Sequence, residues 1–161
     1  MPDGLVLGID PGLAATGYGL LDQDNRVSAY GCIRTSPGAI GARLLQIVGD
    51  VRALLAAHSV REAALEELFM GKNRSSVIGV AQARGAILAT LEAAGVAAYE
   101  YKPSQVKSLI TGYGAADKAQ IARMLGVQLQ TATRIDDHAA DALAIALCHM
   151  RSRRMLMAVR A

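Results

Sequence analysis

Acidic residues stand in this chain where apolar ones would be expected. Asp10 ends the run GLVLGIDP at residues 4–11, Glu66 and Glu67 sit inside AALEEL, and Asp136, Asp137 and Asp141 lie in DDHAAD with His138 among them. A carboxylate buried among apolar neighbours loses hydration, and an isolated charge there is costly unless a cation or partner compensates it. Several meeting in one place demand positive charge. Mg2+ or Mn2+ would supply it, because hard divalent ions take carboxylate oxygens and keep waters for a substrate. His138 and Asp141 are three residues apart and Asp137 and Asp141 four apart, so each pair shares one face of a helix. Asp136 reads as the N-cap of that helix, and Asp137 in its first turn suits the positive end of the helix dipole. Asp141 lies a turn further in, ahead of the core-like ALAIAL. His58 and His149 read as ordinary surface or core histidines; His149 lies about 16 Å along the helix from His138.

Other chemistries find no residues to carry them. GYG occurs at 17–19 and 112–114 and matches neither a dinucleotide fingerprint nor a P-loop, and no nucleophile elbow or CxxC pair is present. Cys32 and Cys148 are too far apart in sequence pattern to suggest a disulfide framework, which fits a reducing cytoplasm. No run of eighteen apolar residues occurs and the N-terminus lacks a basic start, so neither a membrane span nor export is expected. With 161 residues, 52% hydrophobic and 19% charged at net +3, the chain reads as one compact domain and not as a disordered one.

Charge is uneven. Residues 72–134 carry eight bases, Lys72, Arg74, Arg84, Lys102, Lys107, Lys118, Arg123 and Arg134, against the acids Glu92, Glu100 and Asp117. Arg151, Arg153, Arg154 and Arg160 follow with no acid among the last residues, so residues 1–150 are expected as the domain and 151–161 as a basic C-terminal tail. A polyanion partner fits this distribution; plain Arg-rich solvation is the competing reading.

The elements that must position these groups follow from pattern. Residues 4–11 predict a buried strand stopped by Pro11-Gly12, and 15–22 and 26–34 flank the turn-rich Gln23-Asp24-Asn25, predicting three successive antiparallel strands. Ile40, Leu44, Ile47, Val48, Val51, Leu54 and Leu55 recur at helical spacing over 39–57. Residues 62–68 predict a strand, 75–94 a helix interrupted by Gly79 and Gly85, and 96–101 a strand. Short helices follow near 104–110 and 116–125, and the last helix starts near Asp136. Two helical glycines suggest close packing against a second subunit or within the chain. The order implies an α/β mixed sheet covered by helices, and the acids converge if the first and fourth strands are central neighbours.

Five ordered blocks, GIDPGLAATGYGLL, LEELFMGKNRSS, AQARGA, QVKSLITGYGAADKAQI and DDHAADALAIAL, resemble the RuvC family of Holliday junction resolvases over nearly the whole chain. The resemblance implies a ribonuclease H-like α/β fold with a mixed five-stranded sheet flanked by helices. It also implies a homodimer that cuts four-way DNA junctions by paired metal-dependent nicks in recombination and repair, with a branch-migration helicase complex of the RuvA and RuvB type as partner. Carried residue by residue, it places catalytic metal ligands at Asp10, Glu66 and Asp141. The fourth ligand falls on His138, where many members have Asp, with Asp137 as the alternative. Two Mg2+ or Mn2+ ions per site are implied, giving 5′-phosphate and 3′-hydroxyl ends. Phe69 matches the junction-facing aromatic, Lys107 and Lys118 match bases near the scissile strand, and Lys72 and Arg74 extend the DNA-binding set. A related nuclease or kinase lobe, or a non-enzymatic junction binder, would be the other readings. Retention of the carboxylates argues against the binder.

Overall fold

The computed structural model describes residues 4–68, 74–130 and 135–160. In chain order the elements are β1 (Leu5–Asp10), β2 (Ala15–Leu21), β3 (Val27–Arg34), α1 (Ile40–Ala57), β4 (Val60–Glu66), α2 (Arg74–Ala93), β5 (Ala97–Tyr101), α3 (Pro103–Thr111), α4 (Lys118–Leu129) and α5 (Asp137–Arg160). The strands form one sheet in the order β3-β2-β1-β4-β5. β1 to β3 are antiparallel, while β1, β4 and β5 run parallel, with Ile9 opposite Leu65 and Glu66 opposite Tyr101. The carboxylates that end β1 and β4 are thus carried to the same edge of adjacent central strands.

Strand alternation sorts side chains between two cores. Leu7 and Ile9 of β1, with Ala63 and Leu65 of β4, pack toward α1 and α2 among Ile47, Val51, Ala83, Ile87 and Leu91. Val6 and Ala64 face the opposite way, into a core with α3, α4 and α5 that includes Val106, Leu125, Leu143 and Leu147. Period two then puts Asp10 and Glu66 on the α5 side, since they continue the Val6-Gly8 and Glu62-Ala64 rows. Close approach of α5 needs glycine: a Cβ on Gly8 would stand 1.9 Å from the Ala142 carbonyl oxygen, and one on Gly17 would stand 1.9 Å from that of His138.

Two details, the end of α4 and the course of the chain after residue 150, depart from the sequence-based expectation, and the two glycines of α2 differ from each other. α4 runs on to Leu129, beyond the expected end near 125, because Leu125 and Leu129 are both buried. Gly79 lies against Leu13 within the chain, but a Cβ on Gly85 would meet nothing within 4 Å. Residues 151–160 continue α5 without a break at 150. Three arginines there engage the domain: Arg151 donates to the Leu109 carbonyl, Arg154 to that of Gln23, and Arg153 pairs with Glu62 at 2.9 Å.

His149 is wholly buried, and the structure gives it partners. Its Nε2 lies 2.8 Å from Glu62 Oε2 and its Nδ1 2.7 Å from the Tyr101 hydroxyl. A carboxylate only accepts, so Nε2 carries the proton and Nδ1 accepts from Tyr101. Burial pushes the His149 pKa down, against the pull of Glu62. The fold therefore favours neutral His149, and its stability contribution is full above the ordinary value of 6.5 and falls as pH drops below it. His149→Leu should destabilise the protein by about 2–3 kcal/mol, by stranding the Tyr101 hydroxyl and weakening the Glu62 cluster. Urea unfolding of the two proteins across pH 5–8 checks this; an unchanged midpoint would remove His149 from the list of structural anchors.

Candidate active site

The site lies where β1 and β4 end and α5 begins. Asp136 caps α5, its Oδ1 accepting from the His138 amide at 3.0 Å and its carbonyl from Ala140. That fixes the first turn of α5, so His138 and Asp141 project from it toward the sheet edge. His138 Nδ1 is 3.1 Å from Asp10 Oδ2. On the far wall Asp117 caps α4 in a reciprocal pair with Gln120, at 2.8 and 2.9 Å. The next residue is Lys118, whose Nζ lies 3.5 Å from both Asp137 Oδ2 and Asp141 Oδ2. One cleft is lined by Asp10, Glu66, Asp141, Lys107 and Lys118. A second, on the α2 side of the same two strand ends, is lined by Asp10, Glu66, Ser76 and Arg84 among others.

Electrostatics tie these groups together. Desolvation pushes the Asp10 carboxyl up, opposed by the hydrogen bond and charge of His138 and by Lys118. Desolvation raises Glu66 as well, and the charges of Asp10 and Asp141 raise it further against Lys107. Asp141 is raised by desolvation, with Lys118 opposing and Asp10 and Asp137 adding repulsion. Lys118 in turn is held protonated more firmly than usual, chiefly by Asp141. Three carboxylates from three elements share one field, and each is short of positive charge.

The carboxylate oxygens of that donor set suit a hard divalent cation such as Mg2+ or Mn2+, and the softer imidazole of His138 suits Mn2+ better than Mg2+. Among the described residues no three His, Cys, Asp or Glu side chains already close on a single point as a cation cage. The carboxylates instead lean on His138 and Lys118, so an incoming cation would compete with Lys118 for Asp141. Glu66 has no such ion pair among the described contacts, and its folded-state carboxyl sits above its ordinary value of 4.5. The folded state therefore favours protonated Glu66, and the stability this contributes at low pH is lost as pH rises through and past that value. Without divalent ions, Glu66→Gln should raise Tm at neutral pH and flatten the decline. Melting curves in a chelator from pH 4 to 8 test it, and a lower Tm for Glu66→Gln would contradict the repulsion described.

Of the residues singled out from sequence, Asp10, Glu66, Asp141, Lys107 and Lys118 line one cleft, and His138 joins them through its bond to Asp10 while lining a neighbouring hollow with Arg34, Asp136 and Asp137. Asp137 points to Lys118, and its side chain is 77% exposed. Phe69 and Lys72 lie outside the described residues; Arg74 opens α2, and its side chain is not among those described. Glu67 joins the α2-side cleft and not the one that holds Asp141. Sequence reasoning counted Arg84 only as one base among eight. Its signal was position: it shares the buried face of α2 with Ala83, Ile87 and Leu91, where a charge needs a reason.

Comparison with known proteins places these features. The family model described as "Crossover junction endodeoxyribonuclease RuvC" matches residues 6–149. A protein of that name from Syntrophomonas wolfei is 48% identical over 156 residues, 93% of this chain and 90% of that protein. One from Coxiella burnetii is 41% identical over 157 residues, covering 96% and 91%. The structure of Thermus thermophilus RuvC in complex with a Holliday junction substrate superposes with a TM-score of 0.89 at 34% identity, covering 94% of this chain and 96% of that one. The yeast mitochondrial resolvase Ydc2 shares the fold, with a TM-score of 0.71 at 14% identity. The five-stranded mixed sheet with its flanking helices is accordingly of ribonuclease H-like type. Among the described residues no helix is long and apolar enough to cross a membrane.

Proposed function

The chain belongs to the RuvC family of crossover junction endodeoxyribonucleases, and we infer from that membership and its own site that it resolves four-way DNA junctions in recombination and repair. The observation that carries this reading is the meeting of Asp10, Glu66 and Asp141 with Lys107 and Lys118 around one cleft. Phosphodiester hydrolysis needs a cation site and a place for the negative charge of the phosphate side by side, and this cleft offers both.

Nucleases of this family are metal-dependent. For this chain we assign Mg2+ or Mn2+, two ions per site, held by Asp10, Glu66, His138 and Asp141, with Asp137 as the alternative to His138. When bound, such ions make water nucleophilic at neutral pH and offset the charge that builds on the leaving oxygen. The protein's own groups do the rest. Asp10 can only accept, so His138 Nδ1 donates to it, which fixes the imidazole with Nε2 turned away from Asp10. Lys118 keeps its charge firmly, and Lys107 faces the same cleft, so a phosphate entering it meets two ammonium groups where charge develops. The oxygen of water joins phosphorus as the bond to the 3′ oxygen breaks, leaving a 5′-phosphate and a 3′-hydroxyl. Phe69, Lys72 and Arg74 extend the DNA-binding set in this proposal.

Two symmetric nicks need two sites, which we assign to a homodimer. Ile78 on α2 is 60% exposed and the space at Gly85 is open, which supports α2 as the contact face. A branch-migration helicase complex is the further partner that this reading proposes.

The test is cleavage of a synthetic four-way junction, a linear duplex and an RNA–DNA hybrid, each with and without divalent ion. Paired nicks confined to the junction, and only with metal, are expected. Cutting of the hybrid in preference to the junction would point to a ribonuclease H activity, and tight junction binding without cleavage would point to a binding protein.

A further inference from the structure

α2 buries a charge against the back of the site. Arg84 is 8% exposed on a face otherwise made of Ala83, Ile87 and Leu91. A guanidinium there must be matched, and two groups match it: one terminal nitrogen donates to the main-chain oxygen of Glu66 at 2.6 Å, and the other pairs with the Glu100 carboxylate on β5.

The Glu66 carbonyl needs an outside donor because of the residue that follows Asp10. The Glu67 N–H is given to the Tyr101 carbonyl at 2.8 Å, on the β5 side. The carbonyl of that same peptide, Glu66 O, therefore points the other way, toward β1. Carrying the Ile9–Leu65 register forward sets Pro11 there. Proline has no N–H, so the ladder cannot close at the end of β4. Arg84 supplies the missing bond from α2, and Glu100 braces it from β5.

We propose that Arg84 is a positioning residue for the reaction, clamping the last peptide of β4 so that the Glu66 carboxylate stays in register with Asp10, with Glu100 as its anchor. Arg84 does this without touching that carboxylate, because the Glu66 side chain belongs to the α5 side of the sheet and Arg84 to the α2 side. This proposal rests on the reading that Glu66 belongs to the metal-holding set. A guanidinium is needed because its fork serves a carbonyl and a carboxylate in one plane, which an ammonium cannot do.

The experiment compares wild type, Arg84→Lys and Glu100→Gln at a temperature well below their melting points. Single-turnover junction cleavage, junction affinity in a chelator, and the Mn2+ concentration that half-saturates the rise in Tm are measured. Arg84→Lys should cut about tenfold to a hundredfold more slowly, the scale expected when a reacting group is displaced by a fraction of an ångström to an ångström. It should need more Mn2+ for half-saturation and bind the junction as wild type does. Glu100→Gln should fall between the two. Arg84→Lys cutting within about twofold of wild type, with unchanged Mn2+ half-saturation, would overturn the proposal, and so would a loss of junction affinity equal to the loss of rate, which would make Arg84 a DNA contact. A lower Tm with unchanged Mn2+ response would reduce Arg84 to packing and also overturn it. If Arg84→Lys does not fold, Glu100→Gln decides alone, and wild-type behaviour there refutes the clamp. Failure of the wild type to cut would sink the functional reading instead, while the Mn2+ titrations would still test Arg84.

Discussion

Junction cleavage should fall by more than about 100-fold in each of Asp10→Asn, Glu66→Gln and Asp141→Asn, while affinity for the uncut junction stays within a few-fold of wild type. The rate loss follows from the donor set: an amide oxygen is a neutral and weaker ligand, and each of these carboxylates is a third of the negative charge that would attract a divalent ion. The retained binding follows from the distribution of charge. Bases hold phosphates, and removing an acid from a cleft that also holds Lys107 and Lys118 lowers repulsion toward DNA. Gel-shift affinity in a chelator and single-turnover cleavage in saturating Mn2+ separate the two effects. A variant that cuts at a near-normal rate removes that residue from the assignment. His138→Ala, run beside them, distinguishes His138 from Asp137: full activity would transfer the fourth position to Asp137.

Adding one methyl group at Gly17 should be nearly as damaging. Its Cβ would stand 1.9 Å from the His138 carbonyl oxygen and 2.3 Å from the carbonyl carbon, both main-chain atoms that cannot rotate away. The start of α5 must shift, and with it His138 and Asp141, so the clash reaches the site although glycine contributes no chemistry. Gly17→Ala is expected to lose about 1–3 kcal/mol of stability, the usual range for overpacking, and at least tenfold in cleavage rate. Gly8→Ala meets the Ala142 carbonyl at 1.9 Å, deeper along the helix, and should be at least as destabilising. Thermal melts and cleavage measured well below Tm test the pair. A Gly17→Ala protein with wild-type Tm and rate would mean that α5 is free to move relative to β2.

Most of the element order was legible because its signals are local. Pro11-Gly12 stops β1, apolar spacing of 3.6 marks α1, and Gly95 and Pro103 punctuate β5. The end of α4 was not, because the burial of Leu125 and Leu129 depends on their packing with α3 and α5 and not on the pattern within α4. Arg151, Arg153 and Arg154 looked like part of a tail for the same reason. Their hydrogen-bond acceptors, the carbonyls of Leu109 and Gln23 and the carboxylate of Glu62, belong to other elements.

The site divides along the same line. Residue type and spacing determined that Asp10, Glu66 and Asp141 were acids in apolar contexts, and that His138 and Asp141 shared a helix face; those facts need only a strand period of two and a helix period of 3.6. What the tertiary structure decided is which acids meet and what they meet. β1 and β4 became parallel neighbours, Lys118 came to rest on Asp141, and His138 on Asp10 across 128 residues of sequence. His149, ordinary by sequence, became a buried link between Glu62 and Tyr101. Arg84 became the donor that Pro11 cannot be. Local patterns are set by bonds a few residues long, whereas the balance of buried charge is set by whichever distant residues the packing brings within hydrogen-bonding reach.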